Sequence, residues 1–155
     1  MGGGSSGSWS RLGDISSLEE KAKEALKTGK RNVFISFATE DIDDVNLLRA
    51  QAKNENSDIE FNDHSVQEPY DSERAAYIKQ KITERISRSS ICVVYLSEHT
   101  AESRWVRWEV ETCIELGKQV IAVHPKSGVP KRFPTWVDTN KVKVVPWTKL
   151  ASELK

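Results

Sequence analysis

The run SRWVRWE, Ser103 to Glu109, places two tryptophans and a glutamate within five residues. On a helix turning about 100° per residue, with Trp105 at the origin, Val106, Val110, Cys113 and Ile114 fill an arc from about 80° to about 180°. Leu116 falls near 20° and Trp108 near 300°, at the edge of the apolar face. Arg107, Glu111, Glu115 and Lys118 occupy the opposite arc. Glu109 falls near 40°, one turn after Trp105, and is the charge inside the apolar face. An unpartnered carboxylate on a buried face is costly, so it must be paired, protonated or turned into a cavity. A structural reading pairs it with a neighbouring cation such as Arg104. A chemical reading makes it a carboxylate tuned by its cleft, with Trp105 as a wall.

Other reactive side chains offer less. Cys92 in ICVVYL and Cys113 in ETCIEL lie inside apolar patterns and read as reduced core residues. His64, His99 and His124 have no metal-site spacing. No Ser-His-Asp or Cys-His arrangement is readable. Trp136 and Trp147 read as cover for the core or a sheet edge.

The elements that must position Glu109 follow from periodicity. NVFISFA (32–38), ICVVYLS (91–97) and VIAVHP (120–125) are short apolar runs, suited to strands buried on both faces. A weaker strand is predicted around 58–62. KVKVVPW (141–147) carries Pro146 and fits an edge strand. Helices are predicted from Thr39 to about Asn54 through Val45, Leu48 and Ala52, over 72–90 through Ile78, Ile82 and Ile86, and over 104–118 ending at Gly117. The charged stretch KQKITER reads as a solvated helix face. PTWVD is expected to form one helical turn in a loop, and TKLASELK to begin a last helix. Alternating strands and helices imply an α/β fold: a flavodoxin-like three-layer sandwich with a five-stranded parallel sheet of order 2-1-3-4-5. Residues 1–14 form a Gly/Ser-rich linker or tag, 15–30 a helix with a Ser16/Glu19 capping box, and 31–155 the domain.

Such sheets bind ligands beyond the carboxyl ends of the strands, where strand order reverses. The loops there are FATED (37–41) and SEHTAES (97–103), and the second leads into the Glu109 helix. FATED has no glycine, which excludes the dinucleotide fingerprint and the P-loop. It also lacks the Thr/Ser/Gly cradle of a flavin site. LSEHT and VVPW lack the aspartate and lysine that phospho-receiver domains carry at those strand ends.

Composition narrows the class. The 155 residues suit one domain, and 23 Lys+Arg balance 23 Asp+Glu. A balanced charge implies neither nucleic-acid nor membrane partners. No apolar run reaches a membrane span and no signal peptide is visible, so a cytoplasmic location is expected.

Three motifs resemble the TIR (Toll/interleukin receptor) domain, and more narrowly the TIR-like proteins of bacterial Thoeris anti-phage defence. They are FISFATED, the block I-x-x-R-I-x-x-S-S with its strand and S-x-x-T (Ile82 to Thr100), and S-x-W-V-x-W-E (Ser103 to Glu109). The resemblance covers roughly residues 31–147. It implies cleavage of NAD⁺ at the nicotinamide–ribose bond, or cyclisation of the ADP-ribose part into a signal. It makes Glu109 the catalytic residue and Ser36, Phe37 and Asp41 nucleotide contacts. Asp63 and Ser65 match the family's D-x-S after the second strand, and Asp63 is a further substrate contact. QEPYDS (67–72) lacks the family's landmarks, which leaves that wall of the pocket undefined. No metal or cofactor is implied; NAD⁺ is the substrate. Expected partners are a downstream effector that reads the nucleotide and other copies met through TIR surfaces. Two other readings stand beside this: an adaptor acting by self-association, which needs no carboxylate at position 109, and a transferase whose glutamate attacks the sugar.

Overall fold

A computed structural model describes residues 31–62 and 70–154. The expected linker and N-terminal helix, and Asp63, His64 and Ser65, lie outside the described residues.

Five strands, β1 (Arg31–Ser36), β2 (Ile59–Phe61), β3 (Ile91–Tyr95), β4 (Gln119–His124) and β5 (Val142–Pro146), form one sheet of order β2-β1-β3-β4-β5. Every pairing is parallel. The helices are α1 (Ile42–Glu55), α2 (Ala75–Ser87), α3 (Arg104–Glu115) and the short α4 (Leu150–Glu153). The expected sheet order is observed, and so are the helices expected between the strands from Thr39 onward. Among the described residues β5 pairs only with β4, so Pro146 sits on an edge strand, where its missing N–H removes no ladder bond to a further described strand.

Side-chain alternation splits the core into two layers. Val33, Ile35, Val93, Tyr95, Ile121 and Val123 face α1 and α4, meeting Val45, Leu48, Leu150 and Leu154. Phe34, Cys92, Val94, Val120 and Ala122 face the other way, meeting Ile78, Ile82 and Ile86 of α2 and Val106, Val110 and Cys113 of α3. Trp136 packs against this second layer and Trp147 against the first, as cover. Both faces of the sheet are covered, which explains why its strands read as continuous apolar runs.

The helices depart from the expected pattern in three places. Lys81 and Arg85, read as part of a solvated face, are 8% and 4% exposed. Their aliphatic stems lie along the layer while their charged ends find partners, Lys81 Nζ lying 5.4 Å from the Tyr77 ring centre and 4.0 Å from Glu84. Leu116, placed in the apolar arc, is 42% exposed, because α3 stops at Glu115 and Gly117 turns the chain away at φ 74°. At PTWVD the chain makes one hydrogen-bonded turn, Val137 N–H to the Pro134 carbonyl, short of a helix.

Cys92 and Cys113 are free and buried. Hydrogen bonding with Cys92, and then burial, push the Cys113 thiol up, so it holds no thiolate at neutral pH. The folded chain is expected to resist a thiol-specific alkylating reagent at pH 8 and to take up two labels once unfolded in urea. Rapid labelling of the folded chain, read by mass spectrometry, would contradict this packing.

Candidate functional site

The site is assembled at the carboxyl ends of β1 and β3. After β3 the chain is pinned by Thr100, which is fully buried: its hydroxyl donates to the Tyr95 carbonyl at 2.9 Å and accepts from the Ser97 N–H at 2.7 Å. Ser97 Oγ donates to Asp41 Oδ2 at 2.5 Å and so joins this loop to the one after β1. Ser103 then caps α3, its hydroxyl accepting the Val106 N–H at 3.2 Å. With its start held in this way, α3 lies against the Phe34–Val94 face of the sheet.

Ser36 is the next residue on that face after Phe34 and pairs in register with Val94. Its hydroxyl donates to Glu109 Oε1 at 2.5 Å. Ser36 is 2% exposed and Glu109 3%. The helical wheel therefore placed Glu109 correctly on the buried face, with Glu111 and Glu115 exposed. Arg104 turns elsewhere, its guanidinium 3.8 Å from Asp71 and 4.5 Å from the Tyr70 ring centre.

Trp105 is half-buried. It meets Tyr70 edge-on at 5.0 Å and Trp108 edge-on at 6.0 Å between ring centres. Phe37, expected to touch a ligand, is 8% exposed; its ring packs into the α1-side core, with the Arg49 guanidinium 5.6 Å from its centre.

Asp41 is buried and borders a cavity of about 430 Å³ on the α1 side, shared with Asp44, Tyr95, Ser97, His99 and Lys131. Tyr95 donates its hydroxyl to Asp44 at 3.3 Å, and burial, then Asp44 and Asp41, push its phenol up. Burial likewise raises the Asp41 carboxyl, opposed by the Ser97 hydrogen bond and by His99. A carboxyl raised by folding binds its proton more tightly in the native state, so stability falls as pH climbs from the ordinary carboxylate value through the raised one. Asp41→Asn keeps an oxygen for Ser97 and removes the charge. It is expected to be more stable than the parent at pH 7, with the difference shrinking towards pH 3. Urea unfolding at both pH values measures it, and an equal difference at both would contradict the sign.

Among the described residues no group of three or more His, Cys, Asp or Glu could hold a metal ion. No helix among them is long and apolar enough to cross a membrane.

Residues 34–129 match the family model for the TIR-like domain of the Thoeris protein ThsB. The chain belongs to that family. The matched span contains Ser36, Asp41, Trp105 and Glu109, and membership gives this TIR-like domain a role in anti-phage defence. No curated protein matches the chain.

The contacts that three residues make around these loops were not legible from patterning. Ser97 stands in the S-x-x-T motif and in the loop expected to line the crevice, but only the approach of the two loops gives it Asp41 as a partner. Tyr70 lay in a segment without landmarks. Lys79 belonged to the supposed solvated face, yet its Nζ lies 4.2 Å from the Tyr70 ring centre.

Proposed function

We propose that this TIR-like domain cleaves NAD⁺ at the nicotinamide–ribose bond, and that the nucleotide released or cyclised is a signal read by a downstream effector in defence. The observation that carries the reading is the buried Glu109 carboxylate, held by Ser36 at the carboxyl end of β1. A residue needed only for packing would be apolar at that position; a buried carboxylate with a short hydroxyl donor is a prepared charge.

The chemistry suits one carboxylate. As the C1′–N1 bond breaks, its electron pair passes to the ring nitrogen and neutralises the pyridinium. Nicotinamide therefore departs without a general acid, whereas ordinary glycosidases need a second carboxyl to protonate the leaving oxygen. Glu109 faces the positive charge that develops on the ribose and stabilises it electrostatically. Water then attacks C1′ and loses a proton, giving ADP-ribose; attack by a nucleophile of the nucleotide itself gives a cyclic product. Trp105 walls the ribose side, and Ser36 orients Glu109. Asp41 shapes the crevice through Ser97, and Asp63 is a further substrate contact.

The test is chromatographic. Nicotinamide release from NAD⁺ is measured for the chain beside Glu109→Gln, with the companion product separating hydrolysis from cyclisation. Release by the parent, and its loss in the variant, is the expected result. Equal release by both chains would assign the chemistry to another group. Absence of release by the parent, alone and with infected-cell extract, would turn the assignment to an adaptor.

A further inference from the structure

Glu109 belongs to α3, which covers one face of the sheet. The cavity of about 430 Å³ opens beside α1, at the carboxyl ends of β3 and β4, and none of its described lining residues comes from α3. Its size is that of a small-molecule site. Its walls are of two kinds. Asp41, Asp44 and Glu98 bring carboxylates, while Pro125, Val129 and Pro130, in the loop after β4, bring apolar surface. Lys131 and His99 are the basic residues that line it. His99 also borders the hollow that holds Glu40 and Glu102, so it faces carboxylates on two sides.

The three carboxylates are held but not neutralised. Asp41 is 5% exposed; its Oδ2 accepts from Ser97, and among the described residues its other oxygen accepts no hydrogen bond. Asp44 accepts the Tyr95 hydroxyl at 3.3 Å, and Glu98 accepts the Lys131 N–H at 3.0 Å. Among the described residues none of the three forms an ion pair. Burial is the largest force raising the Asp41 carboxyl; Ser97 and His99 oppose it, and Asp44 and Glu40 push it further. Negative charge therefore predominates in the cavity, and a cationic ligand would relieve it.

The form of that cation follows from the spread of the carboxylates. Among the described residues no group of three or more His, Cys, Asp or Glu could hold a metal ion, so these three do not converge on one point. The ligand's charge must be distributed along its length, with apolar surface between. We infer that this cavity is a second ligand site, taking a linear aliphatic polyamine whose ammonium groups sit at Asp41, Asp44 and Glu98 and whose methylene stretches lie on Pro125, Val129 and Pro130. An ammonium donates three hydrogen bonds and accepts none, which suits a lining of carboxylate oxygens. Its hydrocarbon links gain from contact with the apolar wall. The inference does not rest on the reading of Glu109.

The experiment titrates the whole chain with spermidine by calorimetry at low ionic strength, where charge pairing is least screened. One saturable site is expected. An Asp44→Asn/Glu98→Gln chain keeps a carbonyl oxygen for the Tyr95 hydroxyl and for the Lys131 N–H, and its melting temperature checks its fold. Loss of two charge-assisted contacts should weaken spermidine binding about tenfold or more. Should that chain melt early, Asp44→Asn alone, at an exposed position of α1, carries the comparison. Butylamine, with one ammonium on a similar chain, should bind at least about tenfold more weakly than spermidine. Glu109→Gln should bind spermidine as the parent does. Absence of a saturable site, equal affinity in the amide variant, or loss of binding in Glu109→Gln would overturn the assignment. So would abolition of the heat by magnesium chloride at matched ionic strength, which would reduce the effect to ionic screening.

Discussion

Glu109→Gln is expected to release nicotinamide from NAD⁺ about a hundred- to a thousandfold more slowly than the parent chain, the effect of deleting one preorganised electrostatic group. The fold should be nearly unaffected. Glutamine has the same shape and keeps a carbonyl oxygen for the Ser36 hydroxyl, which donates to Oε1 at 2.5 Å. What it lacks is the negative charge that faces the ribose as the pyridinium leaves. Reading chromatographic rates beside circular-dichroism melts separates the two effects. A slow variant with the parent's melting temperature assigns the charge to chemistry. A variant within a fewfold of the parent rate would sink the assignment, and a slow variant that melts early would make Glu109 a structural residue. Glu109→Ala is a poorer test, because it leaves the Ser36 hydroxyl facing a hollow and mixes lost packing with lost charge.

Ser36→Val should be the next most damaging change, and it should act on stability and rate together. Valine suits a strand and has similar bulk, so packing is nearly kept. The hydroxyl that serves a carboxylate 3% exposed is lost, however. Leaving a buried charged acceptor without that donor is expected to lower unfolding stability by about 1–3 kcal/mol. The freed carboxylate also loses its fixed aim, and a displacement of about 1 Å at a reacting group can reduce the rate by about a hundredfold. Ser36→Thr restores a hydroxyl and should recover both properties in part. Urea unfolding and kcat/KM for the three chains provide the measurement. Combining Ser36→Val with Glu109→Gln should produce less than the product of the two single rate effects, because the serine acts through the glutamate. Full additivity, or a Ser36→Val chain equal to the parent, would remove Ser36 from the site.

Much of this was legible in the sequence because the relevant forces are local and periodic. Ile78, Ile82 and Ile86 mark the inner face of α2 by spacing alone, and all three are buried. The continuous apolar runs implied strands covered on both sides, and β1, β3 and β4 are so covered. Glu109 stood out because a charge within an apolar arc conflicts with its surroundings. The errors arose where a residue's fate depends on length or reach. Leu116 satisfied the helical period but fell beyond the end of α3. Lys81 and Arg85 carry long apolar stems, and those stems are buried although the residues count as charged.

The sequence by itself determined the element order, the sheet topology and the face of α3 on which Glu109 lies, since each follows from hydrophobic period and chain connectivity. The tertiary structure decided what meets that carboxylate. Ser36 and Glu109 are separated by 73 positions, Ser97 and Asp41 by 56. No periodicity links such pairs; they meet because β1 and β3 are neighbours in register and α3 is laid across them. The same holds for Lys79, Arg104 and Tyr70, whose gathering needs two helices and a loop to converge. Side-chain hydrogen bonds and cation–ring contacts act only over a few ångströms, so their partners are chosen by the folded backbone and not by the order of residues along it.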